Sequence, residues 1–521
     1  MEKKKINGLI NNKRFVVILI LVILLSMFAR FFDLSKDGFR ADIYGTTPGD
    51  EAAYSHNARS KVLFNEWEIE GDKWNPMFLS PTLTFFQYLS FRTLGVSTFS
   101  SRIAPAVLGF IAILTASFLM FIKNRDESLI FSILLIINAF LIAYSRTGTA
   151  ESVVFFFLLI ILALIIYDKN YSWILAGFFA PFLFFSKLPS IFFILAIPAS
   201  LILYYFLYKE KGTIKKLFSF MAGSAISGVL WSIWLIPRFD LWYFMNFGFG
   251  ERFLFTLTKP IGALYNSFQF AITDPIMLIL VLASVFISFR TILKKRKIKF
   301  LDFFLIVSLI LFYFQISIID MHLRRFVMIM PILLLIAARF TNKINEFCIK
   351  IGNKPLKASR SIAIILIIAV YVFINAVHLG AFFYDLYSDY DGAHTYKRVS
   401  GEINDFIPPG SKVYGKPAMA YSLNNQIMPF FDMSENRFID YANYTLSVLS
   451  NEVQYAILVI NVFDDNDVKV SRIMPEQKEI YGYIKNNFEI IAVLNSKNEH
   501  NNYGNRNLYI YKKMKAFNGA Q

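Results

Sequence analysis

Long uninterrupted apolar runs dominate the first 380 residues of the chain, and only the last part alternates. The runs fall at 15–32, 102–122, 128–144, 151–167, 172–186, 188–208, 217–236, 275–289, 300–319, 326–340 and 361–380. A helix crosses about 30 Å of hydrocarbon with roughly 20 apolar residues. Several runs stop nearer 15–17 residues, but their spacing predicts a polytopic all-α membrane domain of about 11 transmembrane helices over 1–380. Two stretches within it are not spans. Residues 33–101 form a long polar-apolar loop after the first helix, and 237–274 form a second, rich in aromatics (LWYFMNFGFGERFLF). Aromatic side chains of this kind settle at a membrane interface.

Beyond residue 380 the pattern changes. Apolar patches become short and β-rich (SKVYG, QIMPFF, YAILVI, EIIAVL, NLYIYKK), with helix-like stretches and Asn/Asp-rich turns between them. Strands interleaved with helices predict a soluble α/β domain over 381–521.

Composition agrees with the pattern. Of 521 residues, 56% are hydrophobic and 17% charged, and 57 are Phe; an ordinary soluble domain carries about 25% charged residues. A single soluble globule and a disordered chain are excluded. So is a disulfide scaffold, because Cys348 is the only cysteine. The net charge of +16 is unevenly placed. The tail from 381 to 521 holds 14 Lys+Arg against 16 Asp+Glu, and the remainder 39 against 21. With the N-terminus inside, 24 of these basic residues fall in alternate short loops, from Lys3 and Arg14 through Lys123, Lys215 and Lys295 to Arg339 and Arg360. That is the positive-inside distribution of a membrane protein rather than a nucleic-acid surface. An odd number of spans puts the tail outside. The first run, RFVVILILVILLSMF, is too long for a signal-peptide core and has no A-x-A-like site after it, so it reads as an uncleaved helix.

The remaining charges gather on the outer side under this topology. Asp50 and Glu51 follow Pro48-Gly49 and open a helix-like stretch in the first outer loop. There a carboxylate either serves the helix dipole or acts as a general base at the membrane surface. The short turn Tyr144–Glu151 carries Arg146 and Glu151, which could pair with each other or belong to a site. Lys187, in Ser186-Lys187-Leu188-Pro189, interrupts an apolar stretch, with Pro189 suited to the first turn of the next helix; it snorkels or it binds. Arg324 and Arg325, in Asp320–Arg325, run against the positive-inside trend, and charge at the membrane edge is functional by default. Together they could hold an anionic lipid head group beside a carboxylate base. Asp50, Glu51 and Glu151 are hard oxygen ligands that could hold a divalent cation. The lack of a DxD-type pair in the first loop favours a metal-independent mechanism instead.

Five segments resemble the GT-C superfamily of membrane glycosyltransferases, in the order that family uses. They are Asp50-Glu51, FSSRIAPAVLGF (99–110), SRTGTAE (145–151), SKLP (186–189) and HLRRFVMIMP (322–331). The branch most resembled is that of the protein O-mannosyltransferases and the lipid A aminoarabinose transferases, over roughly residues 15–340. The resemblance implies a multi-pass plasma-membrane enzyme, N-terminus cytoplasmic, with its active site and C-terminal domain extracytoplasmic. It implies a polyprenyl-phosphate sugar donor, a protein, lipid or glycan acceptor, Asp50 as base, and cations (Arg146, Lys187, Arg324, Arg325) holding the phosphate. The chain departs from the aminoarabinose branch late in the first loop. There Leu79-Ser80-Pro81-Thr82 stands where that branch has a basic residue before a Pro-Pro pair. Lys73 or Arg146 would have to supply that contact.

The chemistry asks for the same parts. A donor anchored in the bilayer brings the site to the interface, the acceptor needs a base, and the leaving phosphate needs fixed positive charge in a dry site. A one-step attack would invert configuration without a second nucleophilic carboxylate. Three other readings remain. A transporter or flippase would show mid-span polar groups and broken helices. An O-antigen-ligase-like enzyme would use Arg238 and Arg252 of the 237–274 loop. A purely structural membrane protein would leave the co-facial charges unexplained. The turn NVFDDND (461–467) lacks the glycine and terminal Glu of a calcium loop and reads as a solvated loop.

Overall fold

In the computed structural model the described residues are 13–35, 48–67, 80–235, 279, 281–282, 286, 298–318, 324–351, 357–387, 402–415, 426–427, 447, 449–451, 453–461, 475–496 and 506–514. The aromatic loop 237–274 and, but for four residues, the expected span 275–289 lie outside them. So does the NVFDDND turn beyond Asn461. The chain divides into two compact units. One holds Met1–Leu34, Ser80–Leu83 and Arg102–Phe382, and the other Ser35–Leu79, Thr84–Ser101 and Phe383–Gln521.

The first unit is helical. Its elements are α1 (Lys13–Phe31), the opening of α3 (Pro81–Leu94), most of α4 (Thr98–Lys123), α5 (Arg125–Ile137), α6 (Ala139–Ser145), α7 (Ala150–Tyr167), α8 (Asn170–Ser186), α9 (Ile191–Tyr208), α10 (Lys211–Leu235), α11 (Phe300–Ile318), α12 (Arg324–Ile351) and α13 (Lys357–Tyr387), the last running to the unit's edge. Among the described residues four helical segments are long and apolar enough to cross a membrane: Thr98–Lys123, Ala150–Tyr167, Leu188–Tyr208 and Lys211–Ile233. Four shorter apolar helices accompany them, within α8, α11, α12 and α13.

Helix α7 (AESVVFFFLLIILALIIY) is apolar on every face, and such a helix belongs inside a bundle; 94% of it is buried. Helices α8 and α10 approach so closely that a Cβ on Gly177 would stand 1.9 Å from the Phe220 carbonyl oxygen. A Cβ on Gly223 would meet the Ile174 oxygen at the same 1.9 Å. The Ser224 hydroxyl donates to the Gly177 carbonyl at 3.1 Å across this seam. Small residues let two backbones meet in this way where lipid gives no hydrophobic drive for association.

One expected span is broken. The apolar run 128–144 forms α5 and α6, bent by 60° at Asn138. Asn138 leaves the helical region (φ −59, ψ 115), and its side-chain oxygen accepts from the Leu141 amide at 2.9 Å, capping α6. The Asn375 side chain of α13 accepts from the Ala139 amide at 2.8 Å. The Tyr371 hydroxyl takes a hydrogen bond from the Asn138 amide nitrogen (2.9 Å) and donates to the Leu134 carbonyl (3.3 Å). Arg30 of α1 donates to the Leu135 carbonyl at 3.4 Å. An asparagine amid apolar residues breaks the helix because it offers the backbone an alternative partner.

The ring contacts and ion pairs fix the direction of the helices. Tyr204 of α9 meets Phe303 of α11, whereas Phe193 at the start of α9 stacks on Phe312, with centroids 5.9 Å apart. Arg339 of α12 meets Asp302, and Phe326 meets Phe312. Helix α11 is therefore antiparallel to both α9 and α12. At one end Arg339 bridges Asp302 (2.8 Å) and Glu127 (2.7 Å), and the same end carries Lys216 paired with Asp168 at 2.7 Å. The opposite end holds the last residues of α6, α8 and α11 and the first of α7, α9 and α12.

The second unit contains α2 (Pro48–Phe64), the rest of α3, and a five-stranded sheet with one packed helix. Its strands are β1 (Lys412–Tyr414), β2 (Gln426–Ile427), β3 (Tyr455–Asn461), β4 (Phe488–Ser496) and β5 (Arg506–Lys513), in spatial order β2-β1-β3-β5-β4. Strand β1 runs parallel to β2 and β3, while β3–β5 and β4–β5 are antiparallel. Helix α14 (Pro475–Asn487) feeds straight into β4 and closes a core of Leu449, Val453, Ala456, Ile480, Ile484, Phe488 and Tyr511. Helix α3 stops at Gly95, whose positive φ (78) suits the left-handed end of a helix. Ser97 and Ser100 then exchange side-chain to backbone hydrogen bonds of 2.9 and 3.1 Å, a reciprocal box that starts α4.

The α8–α10 seam gives a direct test. Gly223→Ala must push the two backbones apart, and is expected to lower stability by about 1–3 kcal/mol, the usual penalty of overpacking. Thermal unfolding in detergent or nanodiscs measures it. Gly228→Ala on the same helix, where a Cβ meets nothing within 4 Å, should be neutral or slightly stabilising.

Candidate functional site

The first unit brings three of the expected residues to one end of its bundle. The turn between α6 and α7 is SRTGTAE. Its hydroxyls close it locally: Thr147 donates to the Tyr144 carbonyl at 2.9 Å, and the Thr147 and Thr149 hydroxyls lie 2.9 Å apart. Glu151 is the second residue of α7, where the helix dipole favours a carboxylate. It is 1% exposed and forms a tight ion pair with Lys187. Lys187 ends α8 in an extended conformation (φ −162), and Leu188-Pro189-Ser190 then forms a single 3-10 turn leading into α9. Pro189 sits in that turn, where its missing N–H removes no hydrogen bond.

Local spacing allowed a pair between Arg146 and Glu151. The structure instead gives Glu151 to Lys187, 36 positions away. The Arg146 guanidinium turns to the end of α1, donating to the Ala29 carbonyl at 2.8 Å and the Asp33 carbonyl at 3.3 Å. A cation on the last carbonyls of a helix is favoured by both hydrogen bonding and dipole. Arg30 lies close enough to feel the Arg146 charge. It is fully buried and bonded to the Ser26 hydroxyl at 2.6 Å. Arg30 is not among the expected site residues; its signal in the sequence is a charge inside the apolar run 15–32.

Of the segment Leu79-Ser80-Pro81-Thr82, residues Ser80–Thr82 have a structural role at this end, and Leu79 lies outside the described residues. The Ser80 hydroxyl donates to the Ser186 carbonyl at 2.6 Å and the Thr82 hydroxyl to the Phe182 carbonyl at 2.9 Å. The Ser186 carbonyl ends α8 and has no following helix residue to satisfy it; the Phe182 carbonyl also accepts from the Ser186 hydroxyl at 2.7 Å. Pro81 opens α3 at its first position. Lys73 lies outside the described residues.

Arg324 and Arg325 begin α12, at the same end of the bundle as Lys187 and Glu151. Their positions follow from the backbone, and Asp320–Leu323 before them lie outside the described residues. Asp50 and Glu51 belong to the second unit. They are the third and fourth residues of α2, in the turn where the helix dipole favours acid. Helix α2 is polar yet buried: Glu51, Ser55, His56, Asn57, Arg59 and Ser60 are all at most 2% exposed. Its side chains bond locally, Ser55 to the Glu51 carbonyl at 3.0 Å and Asn57 to the Trp67 carbonyl at 2.9 Å. Among the described residues no three His, Cys, Asp or Glu side chains are grouped to hold a metal ion.

The Glu151–Lys187 pair can be isolated by a double-mutant cycle. Lys187→Met removes the paired cation from a buried carboxylate and is expected to cost about 3–5 kcal/mol. Glu151→Gln in the same chain should recover part of it, with a coupling of about 1–3 kcal/mol. Unfolding midpoints of the three variants measure this; additive losses would mean the pair is not an energetic unit.

No protein-family model matches the sequence, and no curated protein matches it. Solved structures do. ArnT from Cupriavidus metallidurans bound to undecaprenyl phosphate superposes with a TM-score of 0.59 at 12% identity, covering 98% of this chain and 100% of that one. The Archaeoglobus fulgidus oligosaccharyltransferase tethered to an acceptor peptide with the NVT sequon gives a TM-score of 0.52 at 12% identity, over 97% of this chain and 74% of that one. The same oligosaccharyltransferase in complex with Zn and sulfate gives 0.50 at 13% identity, over 84% and 67%. Identities this low speak for fold alone, and both proteins are GT-C superfamily members. The chain therefore has the fold of the GT-C membrane glycosyltransferases.

Proposed function

We propose that this chain is a membrane glycosyltransferase. It takes a sugar from a polyprenyl-phosphate-linked donor and transfers it to a protein, lipid or glycan acceptor at the outer face of the membrane. Asp50 is the base, with Glu51 beside it. Lys187, Arg324 and Arg325 hold the donor phosphate, and Arg146 adds its field from the end of α1. Glu151 holds Lys187 in place and keeps its charge in a dry site. The transfer inverts configuration in one step: the acceptor oxygen or nitrogen bonds to the anomeric carbon, the bond from that carbon to the phosphate oxygen breaks, and the acceptor's proton passes to Asp50. The polyprenyl phosphate leaves as an anion, which fixed cations stabilise best where water is excluded.

The observation that carries this reading is the meeting of Lys187, Glu151, Arg146 and the start of α12 at one end of a GT-C-like helical bundle. A donor phosphate tethered in the bilayer would reach that end. The lipid phosphate in the similar ArnT structure belongs to that protein; for this chain it sets the donor class to be assayed. A divalent cation is not needed by this scheme, and added chelator should leave transfer unchanged.

A second reading has one observation behind it. A transporter or flippase uses broken helices, and α5–α6 is broken. The polar groups around that break cap helix ends and join α13, so the break reads as packing. Lipid movement across protein-containing vesicles without sugar transfer would favour the transporter.

The test is transfer from undecaprenyl-phosphate sugars by reconstituted protein. Asp50→Asn is expected to lower turnover by roughly 10²–10⁴ with folding unchanged. Arg324→Ala is expected to weaken donor binding about tenfold or more, the loss of one charge-assisted hydrogen bond. Near-normal turnover in the first, or unchanged donor affinity in the second, removes that residue from its role.

A further inference from the structure

The buried face of α11 carries one side chain that none of this uses. Phe304, Ser308, Phe312 and Gln315 recur at helical spacing on that face, and all are buried. Ser308 is satisfied within the helix, its hydroxyl donating to the Phe304 carbonyl at 2.8 Å. Gln315 is 0% exposed, and among the described residues neither its amide nitrogen nor its amide oxygen has a hydrogen-bond partner. Buried amides in native proteins are nearly always hydrogen-bonded, and an exception calls for an explanation. Leaving both ends of a buried amide unmatched is expensive, and leucine or methionine would fill the place without that penalty.

The position of Gln315 supplies the explanation. Phe312, one turn earlier, stacks on Phe193 of α9 (5.9 Å, 18°) and lies edge-on to Phe326 of α12 (5.8 Å, 66°). Three residues further advance the helix about 4.5 Å. Because α9 and α12 run antiparallel to α11, that step moves towards residue 190 on one side and residue 324 on the other. Gln315 is thus level with the turn following Lys187 and with the first residues of α12. It stands at the end of the bundle where Lys187 and Glu151 meet, but it is neutral and lies one turn beyond the aromatic contacts of Phe312.

We propose that Gln315 reads the transferred sugar. This rests on the donor assignment above and adds the recognition of the sugar itself. The amide is one donor and one acceptor side by side, which matches two neighbouring hydroxyls: Nε2 donates to one oxygen and Oε1 accepts from the other. It does not match a phosphate, whose oxygens Oε1 would repel and which the cations take. A few placed polar groups in an otherwise apolar setting are the usual make-up of a small-ligand site.

The experiment uses the full-length protein in nanodiscs and two probes, undecaprenyl phosphate and undecaprenyl-phosphate-linked hexoses (glucosyl, galactosyl and mannosyl). Wild-type protein is expected to bind at least one hexose-bearing lipid more tightly than the bare lipid phosphate. Gln315→Leu should lose about tenfold in affinity for that lipid and none for bare undecaprenyl phosphate. It should also unfold at a higher temperature, since an unmatched amide is gone. Gln315→Met serves as the second variant should leucine fail to fit. If both lipids lose affinity together, or neither does, Gln315 is not the sugar contact. Wild-type protein that binds neither lipid overturns the donor assignment as well. Wild-type protein that binds both equally overturns only the role given to Gln315.

Discussion

Within hydrocarbon every main-chain N–H and C=O must find its partner inside the protein, because no water is there to take one. Much of the polar chemistry of the helical unit follows from that requirement. Arg146 answers the last carbonyls of α1, Ser80 the last of α8, and Arg30 and Tyr371 those of α5. Asn138 and Asn375 answer the first amides of α6. Side chains of this type are rare in such a composition, and here they stand where a helix stops.

The same rule makes the Glu151–Lys187 pair informative. Two charges removed from water are costly, and a pair of apolar residues would often be as stable. The pair is nonetheless placed at a helix start and a helix end, where the dipoles favour the acid and the base respectively. Lys187 is in effect held out of the lipid by Glu151 and pointed into the end of the bundle. At the other end Arg339 is matched by two acids, Asp302 and Glu127. That arrangement joins α5, α11 and α12 and leaves no net positive charge. Arg339 thus ties three helices together at one end, and Lys187 with Glu151 ties two at the other.

Much of this architecture is legible along the chain, and what escapes does so for a physical reason. Apolar runs such as 151–167 and 188–208 mark helices because length and hydropathy are local properties, and α7 and α9 lie on them. YAILVI and NLYIYKK fall on β3 and β5 because β-branched and aromatic patches are local too. The break in 128–144 is not legible, since a single asparagine in FSILLIINAFLIAY looks tolerable until its partners on another helix are known. Lys187 and Glu151 were each visible as charges at span ends, but their pairing spans 36 positions and had a nearer competitor in Arg146. Gln315 gave no signal, because one glutamine near the end of an apolar run is ordinary; only its burial without a partner sets it apart.

The kink at Asn138 also has a temporal side. Helices α5 and α6, of 13 and 7 residues, are each too short to stand across a bilayer alone. The hydroxyl and amide that complete their junction come from Tyr371 and Asn375, 233 and 236 positions later in the chain. During synthesis the ribosome must therefore make most of the protein while this junction is still open. The bundle cannot mature from its N-terminus as a finished piece; it waits for α13 to arrive and lock it.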